Sequence, residues 1–143
     1  MNKKSIAYTL DELPEIVSFL YQLLDTYPVM TLVGPLGAGK TTLAQALMRH
    51  AGVQEVIQSP TFTYVSVYTN ASGWRFYHFD LYRLTNMREF IAAGFNEYLF
   101  EPVSYALIEW PEIIMPMLKK KVIHVSIEYA TEDRRILHYE CID

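Results

Sequence analysis

The chain has 143 residues, 51% of them hydrophobic and 20% charged, and these values are ordinary for one globular domain. Its lone cysteine, Cys141, cannot form an internal disulfide, and no zinc-like Cys and His spacing occurs, so we expect a reducing, cytoplasmic setting. The sequence has no signal-peptide pattern, and no apolar run reaches the roughly 18 residues that a membrane span needs. A net charge of −4 argues against broad electrostatic binding to nucleic acid.

The first third of the chain predicts a helix, a strand and a second helix. Apolar residues recur at helical spacing over residues 11–24, with Asp11 placed as a cap, which indicates an amphipathic helix. Residues 29–33 form a short apolar run typical of a buried strand, and helical character resumes over residues 40–51. A glycine-rich segment at 34–39 therefore connects a strand to a helix.

The rest of the chain predicts mostly strands with short helices between them. Two runs rich in β-branched and aromatic residues, 61–68 and 74–79, flank a turn at 70–73 and indicate a hairpin or adjacent strands. Further on we expect one or two helices over 86–100 broken near Gly94, a strand at 103–108, a helix at 111–118, and final strands at 122–127 and 134–141.

The glycine-rich segment, Gly-Pro-Leu-Gly-Ala-Gly-Lys-Thr at residues 34–41, matches the P-loop pattern in both sequence and context. Its glycines let the backbone curl so that N–H groups point at an anion at the start of the helix. The lysine would reach the β- and γ-phosphates of a nucleotide, and the hydroxyl of Thr41 would bind magnesium. The nucleotide-binding residues predicted in this segment are Gly37, Ala38, Gly39, Lys40, Thr41 and Thr42.

A P-loop enzyme also needs a carboxylate at the end of a neighbouring strand to hold the magnesium ion. Asp80 and Glu109 each follow an apolar strand directly. We prefer Glu109 as the metal-site acid because its strand is uniformly apolar, as a central parallel strand should be, whereas the strand before Asp80 carries His78. Asp80 would then orient the attacking water or a ligand of the metal, so the predicted catalytic residues are Lys40, Asp80 and Glu109.

Other polar residues leave alternatives open. Asp80 is also compatible with a helix cap or an ion pair with Arg83. Arg83, Arg134 and Arg135 are the arginines to consider for charge stabilisation, although such residues are more often on a solvated surface.

Between the second helix and the next strand, Ser59 and Thr61 lie where P-loop switch proteins sense the γ-phosphate, and Thr61 is the candidate sensor. A hydroxyl in a turn before a strand is the alternative for Thr61. His78 and His124 lie in strand-like runs and are expected to be packed residues, not catalysts. Trp110 belongs either to the core or to the surroundings of the nucleotide.

Four blocks of the sequence together resemble the TsaE (YjeE) family. These blocks are Gly-x-Leu-Gly-Ala-Gly-Lys-Thr-Thr at 34–42, Ser-Pro-Thr-Phe-Thr at 59–63, His-Phe-Asp-Leu-Tyr-Arg-Leu at 78–84 and Ile-Glu-Trp-Pro-Glu at 108–112. A P-loop alone is shared by very many proteins, whereas the other three blocks are characteristic of this family. Their order and spacing match over nearly the whole chain.

The resemblance implies an ATPase that uses ATP and Mg²⁺ in bacterial synthesis of threonylcarbamoyladenosine next to the tRNA anticodon. In that family the ATPase acts with the TsaB–TsaD pair, so tRNA is reached indirectly, through the complex, and no membrane is involved. The implied roles are phosphate and metal ligands for Lys40 and Thr41, a switch segment containing Thr61, an important acid at Asp80, the magnesium acid at Glu109, and a place beside the nucleotide for Trp110.

We therefore expect residues 1–143 to form a single P-loop ATPase domain. Its fold would be α/β, of the P-loop NTPase-like three-layer type, with a central, largely parallel sheet and added antiparallel strands. Two positions depart from the family pattern, which usually has Asp or Asn where Pro35 stands and often Glu where Val67 stands. The alternatives are a small-molecule kinase of the P-loop class and a nucleotide switch without catalysis.

Overall fold

The computed structural model describes residues 3–35, 37–57 and 63–143. The strands are β1 (Lys4–Thr9), β2 (Val29–Val33), β3 (Val65–Thr69), β4 (Arg75–Asp80), β5 (Ser104–Glu109), β6 (Val122–Tyr129) and β7 (Arg134–Ile142). The helices are α1 (Leu13–Leu24), α2 (Lys40–His50) and α3 (Met87–Ala92), with short 3-10 helices at Leu10–Glu12, Phe95–Tyr98 and Glu112–Met117. In the part of the chain so described, no helix is both long and apolar enough to cross a membrane.

All of these strands join one sheet in the order β1-β7-β6-β2-β5-β4-β3. The four central strands β6, β2, β5 and β4 are parallel to one another, whereas β7 pairs antiparallel with both β6 and β1, and β3 pairs antiparallel with β4. The predicted α/β fold, with a largely parallel centre and added antiparallel strands, is confirmed.

Helices cover both faces of this sheet because successive residues of a buried strand point to opposite faces. On β5, Leu107 packs into one apolar cluster and Ile108 into another. The first cluster contains the buried sides of α1 and α2, and the second contains Phe90 of α3 and Ile114. The three layers predicted from the sequence are therefore present.

Several elements fall where the sequence predicts them. The strand at 29–33 matches β2, and helix 40–51 matches α2 to within one residue. The region 86–100 contains α3 and a 3-10 helix on either side of Gly94. Strands β3 and β4 form the expected antiparallel pair, with β3 beginning at Val65; residues 58–62 lie outside the described part of the chain.

Two local predictions differ from the structure, and one strand was not predicted. The edge strand β1 was not expected, because its mixed polar and apolar residues show no clear alternation. Asp11 is not the cap of the first helix, since the Glu12 carboxylate instead accepts hydrogen bonds from the Thr9 N–H and hydroxyl at 2.9 and 3.1 Å. The helix expected at 111–118 is a 3-10 helix that contains Pro116.

The segment between β2 and α2 is held against β6 by a close backbone approach. A Cβ atom on Gly34 would lie 2.5 Å from the carbonyl oxygen of Ile127, so no side chain fits there. Gly39 has a φ of +108° and precedes the first residue of α2. These two glycines let the chain turn from the end of β2 directly into the helix.

The Gly34→Ala variant should lose about 1–3 kcal/mol of unfolding free energy, because the added methyl meets backbone and not a movable side chain. Urea unfolding followed by circular dichroism measures this loss. The control is Gly73→Ala, at a glycine of φ +87° with no atom within 4 Å of the added Cβ, which carries only the backbone strain. Equal losses in the two variants would contradict a steric role for Gly34.

Candidate functional site

Parallel pairing brings the carboxyl ends of β2, β4 and β5 to one edge of the sheet. Asp80 and Glu109 are the last residues of β4 and β5, and their Cα atoms are register partners. The glycine-rich segment follows β2 at the same edge and leads into α2. In open α/β sheets, ligands bind at this edge, outside the carboxyl ends of the strands.

Lys40 is the first residue of α2, and its side chain is 5% exposed. Its Nζ atom donates a hydrogen bond to the carbonyl oxygen of Gly34 at 2.6 Å and lies 3.7 Å from the centre of the Trp110 ring. The ammonium group is thus held at the mouth of the loop. Because it has three donors, the bond to Gly34 leaves two for an incoming anion.

The Thr41 hydroxyl donates a hydrogen bond to Glu109 Oε1 at 2.8 Å. Glu109 is only 2% exposed, and α2 and β5 meet at this bond although the two residues lie 68 positions apart in the chain. A hydroxyl and a carboxylate in contact form an all-oxygen donor pair of the kind that Mg²⁺ prefers.

His78 is packed within β4 as the sequence predicts, with a side chain that is 0% exposed. Its Nε2 atom also lies 2.6 Å from Glu109 Oε2. The sequence analysis did not predict this contact. The only available signal was that His78 and Asp80 alternate on one strand, as Leu107 and Glu109 do on the next.

Asp80 is partly buried beside this group, and its Oδ1 accepts a hydrogen bond from the Tyr82 N–H at 3.1 Å. Burial raises the pKa of the Asp80 carboxyl, and the charge of Glu109 adds to the rise, while Lys40 and His78 act in the opposite direction. The structure thus places this acid at the end of its strand, where the sequence predicted it.

Burial lowers the pKa of Lys40, while the neighbouring acids Glu109, Glu112 and Asp80 oppose that shift. A cation and several carboxylates thus share a confined space. A ligand that carries both negative charge and a bound cation would match this charge pattern.

The Trp110 ring lies between Lys40 and the exposed ring of Tyr82, which it meets edge-on at a centroid distance of 4.9 Å. Trp110 has a φ of +57°, which is uncommon for a residue with a bulky side chain. This backbone turn directs the chain away from the end of β5. The structure therefore places Trp110 beside the loop, which the sequence had left open.

These side chains surround a cavity of about 230 Å³, here called the Lys40 cavity. It is lined by Gly37, Gly39, Lys40, Thr41, Thr42, Asp80, Glu109 and Trp110. Of the other predicted site residues, Ala38 is buried, and its N–H donates to the Pro35 carbonyl at 3.1 Å. Ser59 and Thr61 lie outside the described residues, and the predicted roles of all these positions stay predictions.

A second, larger cavity of about 480 Å³, here called the Arg135 cavity, adjoins the loop. It shares Gly37, Gly39 and Thr42 with the Lys40 cavity. Ala38 of the loop also lines it, and its other walls come from the segment around β1, from the turn between β6 and β7, and from the start of β7. The residues from these walls are Tyr8, Thr9, Leu10, Asp11, Leu13, Glu132, Asp133 and Arg135.

The sequence analysis missed the Arg135 cavity, apart from naming Arg135 as an arginine to consider. Its walls meet only because β1 pairs with β7, with Thr9 opposite Arg134. The guanidinium of Arg135 also lies 4.3 Å from the centre of the Tyr129 ring. No local sequence motif indicates that β1 and β7, from opposite ends of the chain, pair with each other.

The two cavities adjoin at the start of α2 and carry charges of both signs: Lys40 with Asp80 and Glu109 in one, and Arg135 with Asp11, Glu132 and Asp133 in the other. Among the described residues, no group of three or more His, Cys, Asp and Glu side chains is placed to hold a metal ion. A metal bound here would therefore take its remaining ligands from water and from an anionic ligand, as Mg²⁺ commonly does.

Comparison with known families gives a match to the family model described as threonylcarbamoyl adenosine biosynthesis protein TsaE, over residues 8–137. A relative from Haemophilus influenzae, named tRNA threonylcarbamoyladenosine biosynthesis protein TsaE, is 43% identical over 105 residues, covering 73% of this chain and 65% of the relative. The match thus spans just under two thirds of the Haemophilus protein. Relatives of the same name from Rickettsia felis and Bacillus subtilis are 36% and 33% identical, covering 88% and 80% of this chain and 72% and 70% of the relatives.

Among solved structures, the crystal structure of YdiB from Bacillus subtilis aligns with a TM-score of 0.72. The alignment covers 99% of this chain and 87% of YdiB at 24% sequence identity. At this identity the likeness establishes the fold.

Replacing Asp80 by Asn should raise the unfolding free energy of the ligand-free protein slightly, on the order of 0.5 kcal/mol. The physical reason is that the raised pKa of Asp80 marks a carboxylate whose charge is disfavoured by burial and by Glu109. Urea unfolding at neutral pH measures the change. Asp11→Asn, at an exposed position, is the control, and a clear loss of stability in Asp80→Asn alone would contradict this reasoning.

Proposed function

Because the chain belongs to the TsaE family, whose members are named for tRNA threonylcarbamoyladenosine biosynthesis, we propose that it is the Mg²⁺-dependent ATPase of that machinery. In this proposal residues 1–143 form a single P-loop ATPase domain that acts in the cytoplasm. The protein hydrolyses ATP slowly alone, and it acts with TsaB and TsaD to support their turnover.

The observation that carries this proposal is the contact between Thr41 and Glu109 beside Lys40. A hydroxyl from the start of a helix, a buried carboxylate from the next parallel strand and a lysine ammonium converge on one cavity. This is the group of residues that P-loop proteins use for a nucleoside triphosphate and its magnesium ion.

Lys40 would donate to the β- and γ-phosphate oxygens from its present position over Trp110. Gly37, Gly39 and Thr42 line the same cavity, and in this proposal their N–H groups would complete the phosphate contacts at the start of α2. Ala38 would contribute once its N–H leaves the Pro35 carbonyl. The loop thus supplies donors and the lysine supplies charge.

Thr41 and Glu109 would hold the magnesium ion between α2 and β5. Bound there, the ion would neutralise charge on the β- and γ-phosphates. Asp80 lines the same cavity and would orient the attacking water, and its raised pKa suits a group that exchanges a proton with that water.

The Arg135 cavity favours a nucleotide, and not a smaller anion, as the ligand of the proposed site. It adjoins the loop and has the volume of an ordinary ligand pocket, so it would accommodate the base and ribose while the phosphates lie in the Lys40 cavity. The sequence lacks the guanine-reading Asn-Lys-x-Asp pattern, which favours adenine.

Ser59 and Thr61 are proposed as the switch segment that senses the γ-phosphate and transmits its presence to the partner proteins. The role in tRNA modification is indirect in this proposal, through the TsaB–TsaD pair. The net charge of −4 supports such an arrangement over direct binding of the chain to tRNA.

Lys40→Ala should weaken ATP binding by about 10–100-fold, because it removes a charge-assisted hydrogen bond to phosphate. Isothermal titration calorimetry with ATP and Mg²⁺ measures the affinity. Lys119→Ala is the matched control, since Lys119 is exposed and precedes β6 at the opposite end of the sheet. Equal ATP affinity in the two variants would contradict a role for Lys40 in binding the nucleotide.

The proposed function is tested by measuring phosphate release from ATP with the purified chain alone and with the TsaB–TsaD pair from the same source. We expect slow hydrolysis alone and faster hydrolysis with the pair. An unchanged rate would contradict the proposed partnership. Transfer of phosphate to a small-molecule acceptor, with no response to the pair, would identify a kinase instead.

A further inference from the structure

The buried His78 ring contacts the acid that the proposed function assigns to the metal. His78 is 0% exposed, and its Nε2 atom lies 2.6 Å from Oε2 of Glu109, which is itself 2% exposed. Burying a carboxylate is costly unless hydrogen bonds replace those that water made. The contact between His78 and Glu109 is therefore buried.

The two oxygens of Glu109 have different partners on opposite sides. Oε1 accepts the hydroxyl of Thr41, at the start of α2, whereas Oε2 meets His78 from β4. A carboxylate bonded through both oxygens cannot rotate without breaking one of the bonds. Its plane is thus determined by a helix on one side and a strand on the other.

The strand register explains why His78 reaches Glu109. Strands β4 and β5 are parallel, with His78 opposite Leu107 and Asp80 opposite Glu109. All four side chains lie on the same face of the sheet, because residues two apart on a strand point the same way. His78 is therefore the diagonal neighbour of Glu109. It lies two residues before Asp80 on β4, further from the edge of the sheet where the strands end.

The second ring nitrogen of His78, Nδ1, makes no comparable contact within the described part of the chain. Nδ1 is buried and has no hydrogen-bond partner among the described residues. In the neutral tautomer whose Nε2–H donates to a carboxylate, Nδ1 carries no proton and is an acceptor. Among the described residues, the polar contact of the His78 ring is therefore the one that Nε2 makes with Glu109.

We infer that His78 is a positioning residue that donates from Nε2 to Glu109 and holds its carboxylate in the orientation needed to bind Mg²⁺ with Thr41. This inference rests on the proposed function, because it takes Glu109 as the metal-site acid. Outer partners of metal-binding residues typically contribute about 10–100-fold to metal affinity or activity.

The first experiment compares His78→Leu, which lacks a donor, with His78→Gln, whose amide can donate from a position close to that of Nε2. Binding of a fluorescent ATP analogue is titrated with Mg²⁺ and is repeated in EDTA. We expect His78→Leu to raise the half-saturating Mg²⁺ concentration by about 10–100-fold with unchanged affinity in EDTA. His78→Gln should restore most of the loss.

Two controls separate positioning from general packing. His124→Leu removes another sheet histidine, one bonded to Thr31 at 2.7 Å, and should leave the Mg²⁺ requirement unchanged. Glu109→Gln should raise that requirement at least as much as His78→Leu does. If His78→Leu weakened binding equally in Mg²⁺ and in EDTA, or left both unchanged, the positioning role would be overturned.

The second experiment needs no substitution that could prevent folding. In ligand-free wild-type protein, the nitrogen chemical shifts of the His78 ring should show a protonated Nε2. A proton on Nδ1 alone would overturn the inferred donor. Failure of the wild-type chain to bind ATP at any Mg²⁺ concentration would instead overturn the proposed function, and the ring measurement would still test the His78–Glu109 contact.

Discussion

The parallel pairing of β6, β2, β5 and β4 is the constraint on which the other features of the molecule depend. Because parallel strands end together, the segment after β2 and the acids that end β4 and β5 must meet at one edge of the sheet. The interior of these strands is uniformly apolar at β5 and nearly so at β4, so polar side chains collect where the strands stop. The position of the candidate site is therefore determined by the direction of the strands, and the individual residues determine its chemistry.

The polar side chains at this edge are held together by contacts with one another. Glu109, His78 and Thr41 form a continuous set of contacts at 2.6 and 2.8 Å, and Lys40 supplies a nearby positive charge. Removing one partner from such a buried set costs more than the pair contributes, because the remaining group stays buried with fewer hydrogen bonds to replace those that water made. The same contacts that stabilise the fold therefore also orient the groups proposed to act on the ligand.

Much of this arrangement could be predicted from the sequence, because the patterns that indicate it each lie within one short segment of the chain. The P-loop pattern combines a strand, a turn and a helix within some 20 consecutive residues, and Glu109 directly follows a continuous apolar strand. The contact of His78 with Glu109 depends on register between strands, which no single segment reveals. The Arg135 cavity depends on pairing between the two ends of the chain, and β1 lacks the alternation that would have identified it.

Lys40 illustrates a further property of the ligand-free molecule. Its long side chain is already held by the Gly34 carbonyl and the Trp110 ring, within reach of the cavity that it lines. Immobilising a lysine side chain costs about 1.5–2 kcal/mol of conformational entropy. Here that loss occurs when the chain folds, so an arriving anion does not have to offset it. The affinity of the proposed phosphate site would thus be set partly when the chain folds, because the lysine would contribute its charge without first having to be ordered.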